Sequence, residues 1–479
     1  MVSLRKDFKM LTYSFADLGS DSLYEHLYKC IKNDILNGVL AIGEKLPSKR
    51  NFAKNLNIST ITVENAYAQL MAEGYIYSLP KKGYFVADIS SSLLENTSVA
   101  APSSPKTTTL ELPTRQEPYF ADFVSNSINA DNFPFSIWAK IIREVISEES
   151  QALMTNPPSG GIPELRSAIA QYLFQFRGMK VDPSQIIIGA GTEYLYGLLI
   201  QLLGNDNIFA VEDPGYRKIA QIYTSHQAEC RHIPLDHHGI ELSALEESGA
   251  DIIHISPSHH YPTGIVTPIS RRYELLGWAS KSPSRYIIED DYDCEFRLQG
   301  KPIPSLQSID VMEKVIYINT FSKSLASTIR ISYMVLPHHL LERFYEQLGF
   351  YSCTVSTFEQ YTLARFINQG YFEKHINRTR NFYKTQRDTL LNCIKSSPLA
   401  SCSTITEEDA GLHFLLKLDT SLSDEDLTEK AKQAGLHIAC LSKYYYQPDK
   451  KIEHTLVMNY SGLEPDKIPE AVKRLSECI

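Results

Sequence analysis

Apolar positions along the 479 residues follow two regimes. In the first, Leu23, Leu27, Ile31 and Ile35 recur every four residues behind Asp21 and Ser22, which predicts a capped helix over about 20–39. Gly38, Gly43 and Pro47 interrupt the pattern, a short helix follows Ser48, and Asn57–Ser59 turns the chain. A third helix, capped by Ser59, places Val63, Ala66, Tyr67 and Leu70 on one face and stops at Gly74. Tyr75–Val86 then reads as a hairpin with a Pro-Lys-Lys-Gly tip. Three helices, a tight turn before the third and a hairpin make a winged helix-turn-helix.

In the second regime short apolar runs dominate: Gln185–Ile188, Ile208–Val211, Asp251–Ile255, Tyr286–Ile288, Val315–Ile318 and Ser332–Leu336. Amphipathic stretches such as Glu164–Arg177 separate them, the pattern of a buried, mainly parallel sheet in an α/β fold. Ligands in such sheets lie at the carboxyl ends of the strands. Between the two regimes residues 89–117 are rich in Ser, Thr, Pro and Ala, which predicts a flexible linker. The expected organisation is a head over 17–88, a linker over 89–117 and a body over 118–479.

Bulk properties narrow the class. Hydrophobic content of 43% and charged content of 22% suit a soluble globular protein. No apolar run approaches the roughly 20 residues of a membrane span, and the N-terminus has no signal-peptide core. Eight scattered cysteines without a CxxC, and histidines without an HExxH, fit a reducing cytoplasm and indicate no metal site. Residues 1–88 carry 11 Lys+Arg against 9 Asp+Glu, and the remainder 36 against 47. A slightly basic head suits a polyanion: Lys49, Arg50, Lys81 and Lys82 are expected on phosphates, with Ser59, Thr60 and Thr62 at the groove end of the third helix.

Five stretches of the body carry candidate chemistry. Gly189-Ala-Gly191-Thr-Glu-Tyr194 half resembles a dinucleotide fingerprint, with Glu212 as ribose carboxylate, but Tyr194 occupies the third glycine position. A phosphate cup of Gly191–Glu193 amides at a helix start fits equally well. Glu212-Asp-Pro-Gly-Tyr216 presents an aromatic after a strand, and Ser256–Gly264 is a turn at a strand end. Glu289-Asp-Asp-Tyr-Asp293 gathers four carboxylates around one tyrosine. In Thr320–Tyr333, Lys323 follows an apolar run; it is a solvated lysine or a Schiff-base lysine, whose amine is kept neutral by nearby cations or by exclusion from water. Arg330 is placed to serve as that cation and to grip a phosphate.

Leu46-Pro-Ser-Lys-Arg50, Ile58-Ser-Thr-Ile-Thr-Val63, Glu73-Gly-Tyr-Ile and Gly83-Tyr-Phe-Val86 together resemble the GntR-type winged helix. The resemblance implies that Arg50, the start of the third helix and Gly83 of the wing lie on DNA. Thr60 and Glu64 stand where basic residues are usual, which implies a different operator and a weaker phosphate grip. The five body stretches, in order, resemble the fold-type I pyridoxal-phosphate enzymes of the aspartate aminotransferase group. Joined to the head, the chain from about 20 to 479 is similar to the MocR family of bacterial regulators.

That likeness implies pyridoxal 5′-phosphate as cofactor, held as an internal aldimine by Lys323, with Asp290 at the ring nitrogen, Tyr292 beside the phenolic oxygen and Tyr216 stacking. Gly191, Thr192, Ser322 and Arg330 match the phosphate cup. Three departures stand out. Tyr261 replaces the asparagine of the aminotransferase turn, and Ser332 replaces a glycine after Arg330, which is expected to alter the cup slightly. Thr455–Asn459 lacks the arginine that clamps a substrate carboxylate, leaving Lys443 as a point-charge substitute. The expected function is a cytoplasmic transcriptional regulator that binds double-stranded operator DNA and senses the cofactor, an amino acid or an amine. The resemblance also implies a head-to-tail homodimer. An active aminotransferase with a DNA-binding appendage is the competing reading, and a dinucleotide oxidoreductase a third.

Overall fold

The structure is a computed structural model that describes residues 11–15, 21–89, 119–125, 132–298, 303–408 and 411–479. From residue 90 onward the expected linker lies outside the described residues. Residues 1–115 and 116–479 form two compact units.

In the first unit, α1 (Leu23–Leu36), α2 (Lys49–Leu56) and α3 (Thr60–Ala72) precede β1 (Ile76–Leu79) and β2 (Gly83–Val86). The first helix is shorter at both ends than the expected 20–39, and Leu23 remains exposed because it opens the helix. Leu27, Ile31 and Ile35 pack with Phe52, Val63, Tyr67 and Leu70 into one core. Ser48 and Ser59 cap α2 and α3 by accepting from the N–H groups of Asn51 and Thr62. Asn57, at φ +53, ends α2 in the left-handed region that asparagine tolerates, and this makes the turn into α3 tight. β1 and β2 pair antiparallel from Ile76↔Val86 to Leu79↔Gly83, forming the wing.

In the second unit, the two-residue β3 (Ala121–Asp122) precedes the strands of the main sheet. These are β4 (Ile186–Gly189), β5 (Ile208–Asp213), β6 (Glu229–Asp236), β7 (Gly239–Ile240), β8 (Ile252–Ile255), β9 (Tyr286–Asp290), β10 (Val315–Thr320) and β11 (Ser332–Val335). Their order is β4-β11-β10-β9-β8-β5-β6-β7. Pairs from β10 through β6 are parallel, whereas β11 runs antiparallel to both β10 and β4. The six predicted runs are all strands of this sheet. β6 and β7 were not among them: at the sheet's edge, ECRHIPLD is only half covered and carries no apolar run. Helices on both sides bury separate cores, one including Leu165, Ile169 and Leu173 of the helix Pro163–Arg177 and the other Leu195, Leu199 and Leu202 of the helix Thr192–Leu203.

A C-terminal layer pairs β12 (Ser403–Thr406), β13 (His413–Leu418) and β15 (Thr455–Asn459) antiparallel, while β14 (Leu436–His437) joins β3. The helices Tyr371–Lys395 and Ile468–Cys478 cover it, burying Leu390, Phe414, Leu416 and Leu475. Among the described residues no helix is long and apolar enough to cross a membrane.

Candidate functional site

The carboxyl ends of β5, β8, β9 and β10, with the loop after β4, surround a cavity of about 490 Å³. Thr192, Glu212, Tyr216, Asp290, Tyr292, Ser322, Lys323 and Arg330 all line it, so residues up to 138 positions apart along the chain share one space. Gly191 is the N-cap of the adjoining helix Thr192–Leu203.

Lys323 lies on the short helix Phe321–Ser324 that follows β10. Burial pulls its amine down to about 8, against the opposing pull of Asp293 and Asp290. Withdrawal from water therefore does what the sequence reading assigned to Arg330. That guanidinium lies 3.7 Å from Glu193, where a Cβ on Gly191 would overlap it. Gly191 adopts φ +94, a second reason for glycine at that point. Glu193 forms a shorter ion pair, 2.6 Å, with Lys218.

The four carboxylates of Glu289–Asp293 have four destinations, sorted by the alternation of β9 and the turn after it. Asp290, 6% exposed, faces the cavity; its Oδ2 accepts from the Tyr196 hydroxyl at 2.5 Å and lies 3.5 Å from His254 Nε2, while its Oδ1 has no partner. Glu289 faces the opposite side and accepts from the N–H groups of Leu306 and Gln307. Asp291 pairs with Arg177 at 2.8 Å, both side chains 1% exposed, and accepts from the Tyr317 hydroxyl. Asp293 holds His259 at 2.8 Å, and His259 Nδ1 is 3.2 Å from the Tyr292 hydroxyl.

Glu212 also reaches the cavity. Burial pushes its carboxyl up to about 8, so it carries its proton at neutral pH while accepting from the N–H of Ser256. Burial likewise pushes His260 down to about 3, so its imidazole is neutral. Tyr216, half exposed, meets the Tyr261 ring edge-on at 6.1 Å, and Tyr261 shares a 2.7 Å hydrogen bond with the hydroxyl of Tyr444 from the C-terminal layer. The Ser332 hydroxyl donates to Thr320 Oγ1 at 2.7 Å, and the same oxygen accepts from the N–H of Ser322 at 3.1 Å, so Ser332 joins the cup through Thr320. Lys443 is exposed and does not line the cavity, whereas its neighbour Tyr444 does.

Tyr196, His254 and Tyr444 escaped the sequence reading, and Glu212 entered it only as a ribose carboxylate. Tyr196 was within reach, since it stands one helical turn beyond Thr192 and so on the same face. Tyr444 carried no such signal, because the fold brings it from a distant layer.

In the first unit, Arg50, Thr60, Lys81 and Lys82 are exposed along α2, α3 and the wing tip. Gly83 takes φ +107, close to the Lys45 side chain. The Ser59 and Thr62 hydroxyls lie 2.8 Å apart and are shared in the α3 cap. Lys49 is engaged too: its ammonium meets Glu64 at 2.6 Å and lies over the Tyr84 ring.

The profile for "Bacterial regulatory proteins, gntR family" matches residues 23–86, and that for "Aminotransferase class I and II" matches residues 124–475. The HTH-type transcriptional regulator YdeL of Bacillus subtilis is 38% identical over 95% of this chain and 96% of its own. The probable rhizopine catabolism regulatory protein MocR of Rhizobium meliloti is 29% identical over 95% and 93%. Among solved structures, a Pyrococcus horikoshii kynurenine aminotransferase in complex with PMP aligns at TM-score 0.66 and 25% identity, covering 78% of this chain and 96% of that one.

The residues present fit pyridoxal 5′-phosphate, the cofactor of this fold type. Asp290 keeps one bare buried oxygen, Lys323 supplies an amine that burial makes easier to deprotonate, and Gly191, bare of a side chain, lets the Arg330 guanidinium come against the turn that starts the helix Thr192–Leu203. Head and body together place this chain in the MocR family of GntR-superfamily transcriptional regulators, in which a winged helix-turn-helix is joined to a fold-type I aminotransferase-like domain.

Proposed function

We propose that the body holds pyridoxal 5′-phosphate and that its occupancy, or exchange with an amino acid or amine, alters how the head grips operator DNA. When bound, the cofactor supplies an electrophilic aldehyde carbon and an electron-withdrawing ring. Lys323 offers the amine for covalent attachment. Asp290 holds a proton at the ring nitrogen, and the Tyr196 hydroxyl keeps its carboxylate oriented. Tyr216 covers one ring face, and Tyr292 stands beside the phenolic oxygen. Gly191, Thr192, Ser322 and Arg330 hold the phosphate through backbone N–H groups, hydroxyls and charge.

The observation that carries this reading is the sharing of one cavity by Lys323 and the unpartnered Oδ1 of Asp290. The head over 17–88 contacts DNA through Arg50, Ser59, Thr60, Thr62, Lys81, Lys82 and Gly83, with Lys49 available to phosphate only once Glu64 releases it. The linker over 89–117 joins it to the body over 118–479. The protein acts in the cytoplasm as a head-to-tail homodimer, whose two heads read paired half-sites. Either ligand works only through a difference in its affinity for two arrangements of the protein.

A mobility shift on the DNA upstream of this protein's own gene, with apo and cofactor-loaded protein side by side, tests the proposal. A shift altered by pyridoxal phosphate, or by amines added to the loaded form, supports it. DNA binding indifferent to both sinks the sensing role.

A further inference from the structure

The first turn of α3 exposes a residue whose chemistry phosphate binding does not explain. Ile61 is 69% exposed, two residues beyond the Ser59 cap and between Thr60 and Thr62. The head's core is complete without it, since Val63, Ala66, Tyr67 and Leu70 fill the opposite face of the helix. Its neighbours on the helix add no positive charge: Thr60 is neutral, and Glu64, one turn on, is tied to Lys49 at 2.6 Å. The Ser59 and Thr62 hydroxyls are shared in the cap. What this end of the helix presents outward is thus a branched aliphatic group, with exposed Asn65 four residues on along the same face.

In the major groove only one base offers an apolar complement. Thymine carries a C5 methyl, while the other base edges present hydrogen-bond donors and acceptors. We propose that Ile61 is a specificity-determining residue that packs on the methyl of one thymine in each half-site, so that the head reads an A·T pair by an apolar contact. An aliphatic side chain gains nothing from a phosphate, and burying it against a methyl removes apolar surface from water on both partners. Asn65 is suited to the adjacent position, because its amide matches the N6/N7 edge of adenine.

The test uses the full-length protein and an operator selected by it from a randomised duplex pool. Each thymine of the consensus is then replaced by deoxyuridine, which removes the methyl and keeps every hydrogen-bonding group. One position is expected to weaken binding about three- to fivefold per half-site, the range for losing one buried methyl. Ile61→Ala should bind the thymine and deoxyuridine duplexes equally, and Ile61→Val should retain part of the discrimination. Unchanged helical circular dichroism of both variants separates this result from misfolding. A consensus without an invariant A·T pair, or an Ile61→Ala protein that still distinguishes thymine from deoxyuridine at that position, overturns the proposal.

Discussion

The Tyr196 hydroxyl donates a 2.5 Å hydrogen bond to one oxygen of Asp290 and leaves the other oxygen bare. The tyrosine thereby fixes the carboxylate's rotation without spending the oxygen needed by a ring nitrogen. A hydrogen bond to a charged acceptor contributes about 1.5–3 kcal/mol. Tyr196→Phe should therefore weaken pyridoxal phosphate binding by roughly ten- to a hundredfold. Asp290→Asn should weaken it further, and equilibrium dialysis of the two variants checks the order.

Lys323 governs a pH dependence. Its amine, drawn down to about 8, is mostly protonated at pH 7 and mostly neutral at pH 9. The rate of covalent cofactor attachment should rise with pH through about 8 and level off above it, as stopped-flow absorbance can record. Between about 8 and its ordinary value of 10.5 the unfolded chain binds more protons at this site than the folded one, so the group makes stability rise with pH there. Lys323→Met should thus raise the apo-protein's melting temperature at pH 7 and lose that advantage by pH 10. The same variant should show no borohydride-fixed phosphopyridoxyl mass on the peptide around residue 323.

Gly191 is tested by adding one carbon. Gly191→Ala combines a left-handed backbone, costing of order 1–3 kcal/mol, with overlap on the Arg330 guanidinium. Affinity for pyridoxal phosphate should fall while affinity for pyridoxal, which lacks the phosphate, falls much less. Equal losses for the two ligands would place the fault outside the phosphate end.

In the head, Glu64→Gln should release Lys49. DNA binding is expected to tighten, with the slope of log K against log salt steeper by about 0.9 for each freed phosphate contact. Arg50→Ala should act in the opposite sense, weakening binding and flattening the slope. Fluorescence anisotropy across a salt series measures both.

Much of this architecture was legible in the chain. The four-residue spacing of α1 and the i, i+3, i+4, i+7 face of α3 identified the head because each helix turns one continuous apolar face into a single shared core. The six buried strands announced themselves because sheet cores covered on both sides need continuous apolar runs, whereas the half-covered β6 does not. Lys323, Asp290, Tyr216 and Arg330 converge on one cavity, as their positions after strands suggested. The state of those groups was not legible. That burial rather than Arg330 depresses Lys323, that Glu212 is protonated and that Lys49 is taken by Glu64 all depend on neighbours far away in sequence.

The sorting of carboxylates along Glu289–Asp293 makes the pocket's charge a matter of counting. Neighbouring acidic residues of the same type differ in destination only by their place in the strand's two-step rhythm. One residue inserted within Tyr286–Asp290 would deliver Glu289 to the cavity and Asp290 to Arg177, whereas one removed would deliver Asp291 to the cavity and Tyr292 to Arg177. Such a change would conserve composition and net charge almost perfectly, yet it would rewire the site. Evolution can therefore exchange side chains in this strand far more cheaply than it can change the strand's length.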